Sequence, residues 1–119
     1  MKAEYLGHIV FYVKNLESSL SFYEQILGWE RIVSDTLPFN AGALTSGRTH
    51  HELLLIEVGD APKRPIGKRI GFYHAAFKIG DTITELKSAY KDLMKYGVDI
   101  LGTSDPTLVL SPIKPLSLD

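Results

Sequence analysis

A chain of 119 residues fits one domain and is long enough to bury roughly two-thirds of its unfolded surface. With 45% hydrophobic and 23% charged residues it has an ordinary globular composition, and its net charge of -1 supplies neither a basic footprint for nucleic acid nor a polybasic membrane anchor. Having no cysteine, the chain has no disulfide, no thiolate metal site and no cysteine nucleophile. No apolar run approaches the roughly 20 residues of a membrane span, so the expectation is a cytoplasmic protein without membrane or nucleic-acid partners.

The opening MKAEYLGHIVFYV reads as a first strand, not a signal peptide, because its short apolar run is broken by His8 and no small-residue cleavage site follows. After His8 to Val13 comes LESSLSFYEQIL, in which Leu16, Leu20, Tyr23 and Leu27 fall on one helical face. Asn15 is the expected N-cap and Gly28 the expected stop. Strands are expected over Trp29 to Ser34, Ala41 to Thr45 and His51 to Val58, with turns around Pro38 and Asn40 and at Ser46-Gly47-Arg48.

After a linker from Gly59 to Lys68 that carries two prolines, the plan returns. His74 to Ile79 reads as a strand. TITELKSAYKDLMKY reads as a helix ending at Gly97, with Ile83, Leu86, Tyr90, Leu93 and Met94 on its apolar face and a capping box from Thr82 to Glu85. Asp99 to Leu101 is a candidate strand, and Pro106, Pro112 and Pro115 argue against long central strands beyond it. The chain is thus a single domain over 1–119, built from module one at about 5–58 and a shortened module two at about 70–119.

Side chains alternate across a strand. Ile9, Phe11 and Val13 form an apolar face suited to a helix, which leaves His8 with Val10 and Tyr12 on the other side. Likewise Ala75, Phe77 and Ile79 leave His74 opposite the helix. The two histidines hold equivalent places in the repeat, which makes them candidate metal ligands, although a lone histidine at a strand start is more often structural. His51, in RTHHELLLIEV, is either a third member of the site or a polar residue at a hairpin mouth. Glu57 shares its expected strand face but lies roughly 20 Å along the strand, too far for one coordination shell, and His50 is expected to point away. Neutral imidazoles suit Zn, Fe, Ni or Cu, and carboxylates shift preference towards harder ions.

GHIVFYVKNLESSLSFYEQILGWE and FYHAAFKIGDTITELKSAYKDLMKYGVDI resemble the opening strand and helix of the two modules of the vicinal oxygen chelate superfamily, which includes glyoxalases, bleomycin resistance proteins and extradiol dioxygenases. The resemblance spans roughly Leu6 to Leu101. It implies an α+β fold in which two βαβββ modules curve a mixed sheet into a cup with the helices outside. It also implies a divalent ion (Zn, Ni, Mn or Fe(II)) that holds a small substrate through neighbouring oxygens, and a homodimer. By the resemblance His8 and His74 match two metal histidines. His51 matches either an acid–base histidine beside the metal or, counted from Gly47, a third ligand. The family's closing turn and glutamate ligand have no counterpart, since the acidic residues after Gly97 are Asp99, Asp105 and Asp119 and none follows such a turn. The resemblance therefore leaves two further functions open, a metal-free antibiotic-binding protein that uses aromatics such as Tyr12 and Trp29, and an inactive remnant.

Overall fold

A computed structural model describes residues 1–32, 38–65 and 67–100. It divides into two compact units, one holding Met1–Lys63 and a second beginning at Arg64. The fold is α+β, a mixed open sheet with two helices.

The first unit runs β1 (Ile9–Val13), α1 (Leu16–Leu27), β2 (Glu30–Ile32), β3 (Ala41–Thr45) and β4 (Leu53–Glu57). The sheet order is β1-β4-β3-β2, with β1 parallel to β4 and the other pairs antiparallel. Helix α1 is the crossover that a parallel pair requires. Its ends lie where local chemistry sets them. Asn15 Oδ1 accepts from the Ser18 amide at 2.9 Å, and Gly28, at φ 65, closes the helix by donating to Glu24 O. A second cap comes from the end of β4, beside the end of β1, where Glu57 Oε2 accepts from the Leu16 amide at 2.7 Å. This carboxylate satisfies an orphan donor and meets the positive end of the helix dipole.

The core is Val13, Leu16, Leu20, Leu44, Leu53 and Leu55, with Phe11, Tyr23, Leu27 and Trp29 packed against it. Each of these leucines contributes about 1.5–3 kcal/mol by leaving water. Helix and sheet meet closely at Gly42, where an added Cβ would lie 2.7 Å from Leu20 Cδ1. Arg31 fastens β2 to the outer face of the helix through paired contacts to Glu17 and Glu24. Trp29, expected among ligand-facing aromatics, belongs instead to the packed side.

In the second unit α2 spans Ile83–Lys95 and opens with the expected capping box, Thr82 accepting from the Glu85 amide while Glu85 accepts from the Thr82 amide. Of its apolar stripe Leu93 is buried, whereas Ile83, Tyr90 and Met94 are exposed. The strand expected over His74–Ile79 is not formed; those residues are irregular. Alternation makes a segment fit for a sheet, but a strand exists only with a ladder partner, and among the described residues none lies beside it. Asp99 and Ile100 likewise form no strand, and Leu101, Asp105 and the three late prolines lie outside the described residues. No helix among the described residues is long and apolar enough to cross a membrane.

Candidate functional site

His8 precedes β1 and His51 lies two residues before β4. Because these strands are parallel, with Ile9 paired to Leu53, their beginnings share one end of the sheet. Ile9 donates its amide to Glu52 O at 2.8 Å, which continues the ladder to the residue that follows His51. The ring centroids of His8 and His51 are 4.8 Å apart. With Zn–N distances of about 2.0–2.1 Å, two imidazoles sharing one ion sit roughly 5 Å apart, so the pair has a suitable spacing for half a coordination shell.

β4 begins at Leu53, two residues later than the sequence pattern suggests, so His50 and His51 lie on a turn and strand alternation does not govern them. His50 therefore does not point away. Its ring meets His51 edge-on with centroids 4.2 Å apart, and it lies 6.5 Å from His8. Glu57 is in β4 and engaged with the helix, in accord with its exclusion from the site. His74 is in the second unit, exposed, with its ring 4.9 Å from Tyr73. Among the described residues no group of three or more His, Asp or Glu side chains converges on one point. The donor chemistry thus fits a divalent ion at the level of an imidazole pair.

The turn that carries His51 is heavily tied. Thr45 Oγ1 donates to Thr49 O at 2.8 Å and accepts from the Gly47 amide at 3.0 Å. Glu52, only 8% exposed, accepts from both the hydroxyl and the amide of Ser46, and Arg48 lies 3.5 Å from its carboxylate. Burial pushes the Glu52 carboxyl up, but the Ser46 hydrogen bonds, with Thr45 and Arg48, outweigh it and leave the group below the usual carboxylate range. Sequence reasoning passed over both residues. The available signal was a carboxylate placed between His51 and an unbroken leucine run.

His51 is held below its ordinary value of 6.5, first by burial and then by the neighbouring charges of His50 and His8, against an opposing pull from Glu52. The fold therefore favours its neutral imidazole. This contribution to stability is intact above 6.5 and is lost as pH falls through the lowered folded value. An NMR titration of the His51 ring is expected to give a midpoint below 6.5, and His50→Ala is expected to move that midpoint upward. A wild-type midpoint at or above 6.5 would contradict the placement of His51.

A family model described as the Glyoxalase/Bleomycin resistance protein/Dioxygenase superfamily matches residues 5–109. The chain belongs to that superfamily. Among solved structures it is similar to FosX, a genomically encoded fosfomycin resistance protein from Listeria monocytogenes, at 21% identity over 89% of this chain and 76% of that one, with a TM-score of 0.65. It is similar to lactoylglutathione lyase from Agrobacterium tumefaciens at 20% identity over 85% of this chain and 76% of that one, with a TM-score of 0.58. An integron cassette protein from the mobile metagenome of V. cholerae shares 28% identity over 87% of this chain and 75% of its own, with a TM-score of 0.60. The FosX and lyase likenesses concern the fold.

Proposed function

We propose that this superfamily member is a cytoplasmic metal-dependent enzyme acting on a small molecule that chelates a divalent ion through vicinal oxygens. The observation that carries this reading is the His8–His51 pair, brought to one end of the sheet by the parallel pairing of β1 and β4. Further support comes from the superfamily itself and from a mutant of the Listeria FosX, which is complexed with Mn(II) and 1S,2S-dihydroxypropylphosphonic acid. His8 and His74 are the proposed ligands. His74 enters from the internal repeat alone, where it holds in the second module the place that His8 holds in the first.

A divalent ion there supplies Lewis-acid polarisation of the chelating oxygens. The chain's own contribution is centred on His51, whose neutral ring is favoured by burial. As a third ligand it presents a lone pair without first losing a proton. As a neighbour of the ion it takes a proton from the substrate and returns it, acting as general acid and base. Isomerase or lyase, ring-cleaving dioxygenase and thiol transferase chemistries all suit this arrangement. Calorimetric titration with Zn, Ni, Mn and Fe(II) tests the proposal. If none of the four binds, the protein is a metal-free binder of the bleomycin-resistance kind or an inactive remnant.

The proposal includes a homodimer. Its support is the open sheet, whose edges among the described residues are β1 and β2, together with apolar side chains left exposed in the second unit at Ile70, Phe72, Tyr73, Ile83 and Met94. Proteins normally cover such edges and patches. Sedimentation equilibrium is expected to give twice the chain mass, and a monomer at high micromolar concentration would refute the dimer.

A further inference from the structure

Glu52 is a nearly buried carboxylate that the proposed chemistry does not use, and its surroundings suggest what it is for. Both oxygens are engaged, by the hydroxyl and the amide of Ser46, so it is poorly placed to ligate an ion. Its own amide donates to Leu44 O and its carbonyl accepts from Ile9, which locks it between β3 and the start of β1. The carboxylate also draws in Arg48, 3.5 Å away. That guanidinium reaches back over the segment that carries His8, lying 4.7 Å from the centre of the Tyr5 ring and donating to Leu6 O at 3.3 Å. Arg48 therefore joins the turn bearing His51 to the strand entry bearing His8, and its ion pair with Glu52 holds it within that turn.

We infer that Glu52 and Arg48 are positioning residues that set the spacing of His8 and His51. The inference rests on the reading of that pair as a functional site. Glu52 holds the turn closed from within, and Arg48 ties it to residues 5 and 6 from without. An arginine suits this task because its cationic group lies over the Tyr5 ring and donates to the Leu6 carbonyl while its Nε stays 3.5 Å from the Glu52 carboxylate. Partners of this kind, one step removed from the ligands, typically change metal affinity by about 10–100-fold when removed.

The experiment compares the full chain with Glu52→Gln, Arg48→Ala and the conservative Arg48→Lys. Two readouts are used: Co(II) titration followed by its absorption spectrum, and the nuclear Overhauser contact between the His8 and His51 rings in the metal-free protein. Glu52→Gln and Arg48→Ala are each expected to weaken Co(II) binding about 10–100-fold. Both are expected to lose the ring-to-ring contact while the methyl signals of the buried Leu44, Leu53 and Leu55 stay in place, and Arg48→Lys is expected to recover part of each loss. Arg48→Ala with wild-type Co(II) affinity and an intact ring contact overturns the inference. If Glu52→Gln fails to fold, the milder Arg48→Ala decides alone, since that side chain is half-exposed. If the wild-type chain binds no Co(II), the metal reading falls, and the ring contact still decides whether the ion pair positions the histidines.

Discussion

Replacing His8 by alanine is expected to reduce divalent-metal affinity by more than the roughly 10–100-fold typical of groups one step removed from a ligand. His8 is exposed and sits just outside β1, so the substitution removes an imidazole without opening a cavity. Surface changes of that kind usually alter stability by about ±0.5 kcal/mol. A loss of binding at an unchanged urea midpoint therefore reports on the site and not on folding. His74→Ala is expected to be equally severe if the repeat equivalence holds. His51→Ala separates the two roles proposed for that residue: a loss as deep as that of His8→Ala marks a ligand, and a loss within the 10–100-fold range marks a neighbour. Wild type and His8→Ala binding Zn, Ni, Mn and Fe(II) equally weakly would remove the site altogether.

The helices were legible in the sequence because their ends are set within a few residues of themselves. Asn15, Gly28, Thr82 and Glu85 carry short-range cap chemistry, and each occupies its expected place. Strand ends depend on distant partners. Nothing near His51 in the chain announces that β4 begins at Leu53, because that boundary follows from pairing with Ile9 and with Leu44. The same non-local dependence explains His50, which alternation would send away from His51 and which a turn instead turns towards it. It also explains Glu57. Its distance from His51 along the strand excluded it from the site, but its hydrogen bond to the Leu16 amide needed the parallel register to be seen.

The candidate site was legible to a similar degree. Alternation alone places Val10 and Tyr12 on the face away from α1, and their exposure beside the burial of Val13 agrees with that, while His8 is the residue just before this strand. His8 and His51 meet because a crossover helix makes β1 and β4 parallel neighbours, and a parallel pair starts at one end. Arg48 and Glu52 escaped notice because a charged pair within a turn is, in sequence, like any solvated turn. Only the burial of Glu52 distinguishes it.

The largest effect on stability is expected from Leu55→Ala. Leu55 is fully buried, pairs with Phe11 on β1 and Gly42 on β3, and belongs to the cluster that receives Leu16 and Leu20 from α1. Truncation removes three heavy atoms from the middle of that cluster and leaves a cavity the neighbours close only in part, at a cost of about 2–5 kcal/mol. Against a total stability of about 5–15 kcal/mol this is a large share. Leu54, the next residue, lies on the opposite face and is only half-buried. Leu54→Ala is therefore expected to cost clearly less, although the side chain and the strand are the same. Urea unfolding of the two variants measures the difference directly. Equal midpoints would mean that the two faces of β4 are buried alike, and the assignment of Val10 and Tyr12 to an open face opposite α1 would fall with that result, because Val10 pairs with Leu54 and Phe11 with Leu55.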